Sequence, residues 1–246
     1  MQRHIVDINA DVGEGVGNEA LIMPHISSCN IACGGHAGDE KTMRQVVKLA
    51  KQHRVKIGAH PSFPDKENFG RITMDIPCVA LFAAIKSQIK SLITAINEEH
   101  AMLHHIKPHG ALYNMAATDE RIATVIVEVV KSLRIPVELY VPYGSVIEKV
   151  ALQNELSITY EGFADRNYND DLTLVSRKEK NALIHKNNVV FEHVLRMVET
   201  GKVKTVAGRE VAIKAETFCV HGDNPNAIYL IKNLKGFLEI KGIQIS

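Results

Sequence analysis

The chain has 246 residues, close to the ~250 of a single α/β barrel and enough to bury a core without staples. Its 29 basic and 28 acidic residues leave a net charge of +1, which excludes the positive excess of a nucleic-acid or polybasic membrane-surface protein. The 46% hydrophobic and 23% charged fractions exclude wholesale disorder. The opening MQRHIVDINADVGEG carries acids where a secretory signal has an apolar run. No stretch approaches the ~18 apolar residues of a membrane span. The four cysteines, Cys29, Cys33, Cys78 and Cys219, form no CxxC pair, so no zinc ribbon is expected and the thiols are read as reduced, in the cytoplasm.

Seven strands are predicted, in order HIVDINAD (4–11), CNIACG (29–34), VKIGAH (55–60), HHIKPHG (104–110), VELYVP (137–142), ITYEGFA (158–164) and AETFCVH (215–221). β-branched residues and flanking Gly or Pro support them. Helical stripes fall between most of them. Met43, Val46, Val47 and Ala50 form the first, and Leu81 to Ile96 the second. Ile122, Val125, Ile126, Val129 and Leu133 form the third, and Val190, Val194, Met197 and Val198 the fourth. Asp39 and Asp119 stand where N-caps belong. No linker divides the chain, so residues 1–246 are expected to form one domain with a parallel sheet.

The first strand separates a barrel from a doubly wound sheet. Asp7, Asn9 and Asp11 share one face with Ile5, while Val6, Ile8, Ala10 and Val12 share the other. A barrel interior can take such a polar face, and a sheet buried on both sides cannot.

Ionisable groups then collect at one end of the strands. Strand one ends in Asn9, Asp11 and Glu14, and strand two runs into His36 and Asp39. His60 ends strand three, Lys107 and His109 end strand four, Asp165 and Arg166 follow strand six, and His221 and Asp223 follow strand seven. In a parallel barrel that end carries the active site. Asp39 is read as a helix cap rather than a catalyst, Asp7 as part of a buried polar network, and Cys29 and Cys33 as small core residues. Six histidines, among them His193, are read as solvated or incidental. The sequence has no GxxxxGK[ST], HExxH or GxSxG, and TGKVKT at 200–205 lacks the first glycine of a P-loop.

The blocks DINADVGEG, SCNIACGGHAGDEKTM, IGAHPSFPD with FGR, IKPHGALYNMAATD, FADRNY and CVHGDNP resemble the successive signatures of the LamB/YcsF family. They run in order from residue 7 to residue 225, nearly the whole chain. The resemblance implies a seven-stranded parallel β/α barrel of the glycoside hydrolase/deacetylase type. It implies service as the A subunit of an ATP-dependent 5-oxoprolinase, with partner subunits B and C. The implied reaction turns 5-oxo-L-proline, ATP and two waters into L-glutamate, ADP and phosphate, with ATP bringing Mg²⁺. Three positions depart from the pattern: Gly35 replaces an aromatic, Ile72 a second basic residue, and Asp171 a glycine.

This chemistry needs cations for phosphate oxygens, a base for water and an acid for the ring nitrogen. Asp11, His60, His109 and Asp165 are the catalytic candidates, with acid and base not divided between the two histidines. Asn9, His36, Lys107, Arg166, His221 and Asp223 are the candidates for holding substrate. Asp11, His60 and His109 also resemble the Asp-His-His metal set of deacetylase barrels, which suits Zn, Mn or Mg. Two other readings stand beside this one: a metal-dependent deacetylase or carbohydrate-active hydrolase acting alone, and a non-catalytic binding subunit. Neither nucleic acid nor membrane is expected as a partner, and a homo-oligomer is left open.

Overall fold

A computed structural model describes residues 4–221 and 226–246. Seven parallel strands close a barrel: β1 (Ile5–Val12), β2 (Ser28–Ala32), β3 (Lys56–His60), β4 (Leu103–Ile106), β5 (Glu138–Pro142), β6 (Ile158–Phe163) and β9 (Thr217–Val220). Each pairs with the next, and β1 closes the ring by pairing with β9, Asp7 opposite Thr217. The seven strands match the sequence reading in number and order. Strand four is shorter than predicted, because Pro108 has no N–H to continue the ladder.

Three short strands lie outside that reading. β7 (Lys202–Lys204) and β8 (Glu210–Ala212) form an antiparallel hairpin, and β10 (Gln244–Ile245) pairs with the first residues of β1. The TGKVKT fragment is therefore a helix end and a strand, with Gly201 in the left-handed conformation that caps the preceding helix.

Helices wrap the outside. α1 (Glu19–Ile22) is one turn; α2 (Glu40–His53), α3 (Cys78–Glu98), α5 (Glu120–Leu133) and α7 (Asn187–Thr200) carry the four predicted stripes. α4 (Gly110–Ala116), α6 (Val146–Gln153) and α8 (Ala227–Ile240) complete the set among the described residues. Asp39 accepts a hydrogen bond from the Thr42 amide at 2.7 Å, and Asp119 accepts from Arg121 and Ile122, so both are the expected caps. By length and composition α3 could cross a membrane. In the fold it packs against α2, α5 and β3, burying Leu81, Ile85, Ile89, Leu92 and Ile96.

The apolar core lies between barrel and helices, and it includes Val6, Ile8, Ala10 and Val12. The barrel interior takes the polar faces of the strands. Asp7 accepts hydrogen bonds from Ser28 and Thr217, both at 2.6 Å, as the buried-network reading expected. Cys29 and Cys33 are buried, and burial pushes both thiols up to about 12.

Candidate functional site

The C-terminal ends of the strands open into a cavity of about 820 Å³. Asp11, His60, Lys107, His109, Arg166 and His221 line it, so six of the predicted side chains converge there. Asn9, His36 and Asp165 are buried outside that lining. Asp223 lies outside the described residues.

Alternation along the strands sets the depth of each group. β1 aims Asn9 and Asp11 inward, and β4 runs on to bring Lys107 to the same centre. The Lys107 ammonium meets Asp11 Oδ1 at 3.0 Å, Glu161 Oε1 at 2.8 Å, Asn9 Oδ1 at 3.3 Å and Cys219 Sγ at 3.0 Å. Burial alone would lower the Lys107 pKa, but Asp11 and Glu161 outweigh it and hold the ammonium well above its usual range. Burial would likewise raise Asp11, yet His60 and Lys107 hold it well below the ordinary carboxylate value. The three N–H donors of Lys107 are therefore engaged by the barrel, and it offers a ligand positive potential more than hydrogen bonds.

Three histidines gather above that pair. His60 Nδ1 lies 2.7 Å from the Lys107 carbonyl, and His109 Nε2 lies 3.0 Å from the Phe69 carbonyl. A carbonyl only accepts, so both of these nitrogens carry hydrogen. With both rings neutral, His60 Nε2 and His109 Nδ1 would be lone pairs, and they face each other at 2.9 Å. Glu14 Oε1 stands 3.4 Å from His109 Nδ1 and 2.9 Å from His36 Nε2. The His36 ring stacks on His109 at 3.7 Å, and its Nδ1 is buried without a partner among the described residues. Burial, then His60 and His36, hold His109 well below its ordinary pKa.

Facing lone pairs beside a carboxylate repel unless a proton or a cation lies between them. Glu14, His36, His60 and His109 place one donor atom each within 4.8 Å of the others. Three imidazoles and a carboxylate suit a divalent first-row ion, and carbonyl partners on the far nitrogens of His60 and His109 orient such ligands. The carboxylate within this group is Glu14, and the expected Asp11 falls in a second such group, with Cys219 and His221. Asp11 is taken up by Lys107 and by the Asn30 amide at 2.7 Å, with Oδ2 3.5 Å from His60 Nε2.

The rim is cationic. Arg71, Arg166, Arg177 and Lys178 line the cavity. Arg166 spends two donors on the Val175 and Ala182 carbonyls, at 2.7 and 3.4 Å, and so pins the segment that carries Arg177. Burial, then Arg177, lowers its pKa to about 10. Asp165 accepts from His221 Nδ1 at 2.8 Å, fixing that ring at the wall. Burial would raise Asp165, and His221 more than reverses this.

The three departures have local settings. A side chain at Gly35 would collide with Gln88 Oε1 and Ser62 Oγ, so Gln88 fills the space of the missing aromatic. Ile72 is half exposed at the cavity mouth, and the Asp171 carboxylate is tied to Thr173. Gly110 matters differently. It sits at φ 57° and a Cβ there would strike the Gly70 carbonyl, so only glycine lets the segment after His60 reach His109.

Sequence reasoning missed Glu161 and His105 and left Tyr113 between lining the site and starting a helix; it lines the cavity from α4. Glu161 shares its strand face with Phe163, and the alternation that exposed Asp7, Asn9 and Asp11 also marks it. His105 points inward beneath Lys107, and its Nε2 lies 2.7 Å from Asn30 Oδ1. His193 is partly buried rather than solvated: it stacks on Tyr168 at 6.0 Å, and burial lowers its pKa to about 4.

The LamB/YcsF family profile matches residues 6–246. The A subunit of a 5-oxoprolinase from Haemophilus influenzae (strain PittEE) is 41% identical over 241 residues, covering 98% of each chain. The crystal structure of a lactam utilization protein from Thermus thermophilus superposes with a TM-score of 0.91 at 37% identity, covering 98% of both chains. A family 4 carbohydrate esterase from Streptomyces lividans reaches a TM-score of 0.50 at 10% identity, covering 99% of this chain and 92% of that one, a likeness of fold alone.

Proposed function

The chain belongs to the LamB/YcsF family, and we propose that it serves as the A subunit of an ATP-dependent 5-oxoprolinase. In this reading residues 1–246 act as one cytoplasmic barrel domain, working with subunits B and C. The barrel opens 5-oxo-L-proline to L-glutamate while ATP, carried with Mg²⁺, becomes ADP and phosphate. The observation that carries the reading is the joining of the His60–His109 lone-pair site to a buried Lys107 within one cavity. Such a site stabilises developing negative charge and takes up a proton at one point.

A five-membered lactam is a stable amide, so its oxygen is first phosphorylated by ATP, releasing ADP. Water then adds to the activated ring carbon. Its proton passes to the facing lone pairs of His60 and His109, where His109 is neutral because burial holds its pKa down. The ring nitrogen takes a proton and leaves, giving an acyl phosphate, and a second water releases phosphate. The two waters consumed match the overall reaction. Lys107 stabilises the charge that builds at the carbon, Asp11 keeps Lys107 charged, and His221, held by Asp165, lines the wall beside them. The rim cations Arg166 and Arg177 hold the substrate carboxylate or the transferring phosphate. Asn9 braces the centre from below by donating to Glu161 at 3.0 Å and Thr217 at 2.8 Å, and His36 positions Glu14.

Glu14, His36, His60 and His109 are also the residues that would hold a divalent ion. Bound there, it would supply a Lewis acid and an acidified water. Elemental analysis of the purified protein reports whether one is carried.

The test is glutamate release from 5-oxoproline with ATP, by this chain alone and with its partner subunits. Activity in the mixture, absent from each part, supports the reading. Amide or ester hydrolysis by the chain alone, without ATP and with added metal, supports a deacetylase-type enzyme instead. His109→Ala abolishes lactam opening by the assembled complex while its melting curve stays cooperative. Full activity in that variant removes the histidine pair from the chemistry.

A further inference from the structure

Two buried oxygens at the cavity are left without hydrogen-bond partners among the described residues. Glu161 is 1% exposed; its Oε1 accepts from Lys107 and Asn9, and its Oε2 accepts from nothing. Tyr113, on α4, is 6% exposed, and its hydroxyl is likewise unpartnered. Both side chains line the cavity, and both adjoin Phe163, which meets the Tyr113 ring edge-on at 5.6 Å. The two groups feel each other: burial and then the Glu161 carboxylate push the Tyr113 phenol well above its ordinary range. A marginal hydrogen bond to Glu161 adds to that rise, but the contact falls short of full hydrogen-bond geometry and leaves both oxygens open to a better partner.

Leaving a buried polar group unpaired costs roughly 1–3 kcal/mol, so two at one cavity call for a ligand that satisfies both. That ligand must donate to a carboxylate oxygen and accept from a hydroxyl. A secondary amide has one donor and one acceptor. In an open chain it is trans, with N–H and C=O on opposite sides. A small ring forces it cis and turns both groups to the same side. A carboxylate and a hydroxyl on one wall match the cis form.

Building on the lactam reading above, we infer that Glu161 and Tyr113 form the pair that selects cyclic secondary amides, Glu161 Oε2 accepting the ring N–H and the Tyr113 hydroxyl donating to the ring carbonyl. The carbonyl oxygen keeps one lone pair for phosphorylation. Lys107 and Asn9 hold Glu161 by its other oxygen, so the reading oxygen stays fixed. An open-chain trans amide can satisfy one member of the pair but not both.

Glu161→Gln tests this at one atom. Its remaining oxygen still accepts from Lys107 and Asn9, while the free acceptor becomes an NH₂ donor that opposes the ring N–H. The lactone isostere of 5-oxoproline, with a ring oxygen in place of N–H, accepts from that donor. Calorimetric titration of the full chain with lactam and lactone, and turnover by the assembled complex, measure the ratio. The wild type prefers the lactam by at least about tenfold, and Glu161→Gln lowers or inverts that preference by at least about tenfold. Tyr113→Phe weakens lactam and lactone alike, because both keep the carbonyl. A merely structural role would change melting temperature and leave the lactam-to-lactone ratio alone. An unchanged ratio in Glu161→Gln, in a chain that still binds lactam, overturns the pair and spares the parent reading. Failure of the wild-type chain and complex to bind or open any lactam overturns the parent reading and the pair with it. Should Glu161→Gln not fold, N-methyl-5-oxoproline replaces it: equal binding of the N-methyl and parent lactams by the wild type overturns the pair.

Discussion

Asp11 and Glu161 are two buried carboxylates that share one ammonium, Lys107, at 3.0 and 2.8 Å. Removing the shared partner strands both. Breaking a buried pair in this way costs about 3–5 kcal/mol, far more than the pair contributes against an apolar replacement. Lys107→Met keeps the length and volume of the side chain and removes the charge. The variant is expected to lose about 3–5 kcal/mol of unfolding free energy at pH 7, with lactam opening abolished. The deficit has a sign with pH. Asp11 is held well below its ordinary value in the native protein, so its contribution is present above the unfolded value of about 3.9 and lost beneath it. Without Lys107 the buried Asp11 carboxylate favours its protonated form, and the gap to wild type narrows as pH falls from 7 to 4. Urea unfolding at several pH values checks it, and a gap that stays constant or widens overturns the assignment of Lys107 as the shared counter-ion.

At the scale of elements, what was legible followed periodicity. The strand faces and four helical stripes repeat at 2 or 3.6 residues, and β1, β2, β3, α2, α3 and α5 form where those repeats place them. Side chains that ride on strand ends were legible for the same reason. Glu14 was not singled out as a ligand, because it sits in the Gly-rich turn after β1, where no period says which way it points. The α8 stripe of Ala227, Leu230, Ile231, Leu234 and Leu238 carries the helical period too, and it lies outside the four stripes predicted. Gly35 shows a third case, in which an apparent defect in one element is filled from another. Gln88 on α3 enters the space, accepting from the Ser62 amide at 3.0 Å and donating to the Ser62 carbonyl at 2.9 Å. No local pattern connects positions 35 and 88. The coupling is testable: Gly35→Ala costs about 1–3 kcal/mol by overpacking against Gln88 and Ser62. In Gln88→Ala the same change costs less, and the double-mutant cycle gives an interaction above about 0.5 kcal/mol. Additive costs would show that Gln88 yields freely and does not occupy the missing side chain's place.

For the molecule as a whole, the polar interior of the barrel sets how stability depends on acidity. Strands of an ordinary parallel sheet are apolar on both faces, but this barrel seats His105 at its centre. The ring stacks on Tyr140 at 3.9 Å, rests on Gly58 and bonds Asn30. His104, Lys107, His60 and Lys56 face it, all of which oppose a second positive charge, and burial opposes it first. His105 is therefore held well below its ordinary pKa, and His193, with Asp165 and Arg196 nearby, is lowered to about 4. An unfolded histidine titrates near 6.5. Below that pH the unfolded chain takes up protons that these two rings, like His109, refuse in the folded state, so stability falls as pH falls, beginning near 6.5. Each refused proton contributes a slope of about 1.4 kcal/mol per pH unit, and two rings give more than one such slope between pH 6 and 5. Asp11 and Asp165, both lowered, add their loss only below about 3.9, so the two windows separate. Urea unfolding at pH 7.5, 6.5, 5.5 and 4.5 measures the first window. His193→Gln removes one proton from that slope and leaves the low-pH window in place. Stability that is flat from pH 7.5 to 5 would mean that both rings accept protons where they stand, and that the barrel interior tolerates a charge its Lys107 centre is built to exclude.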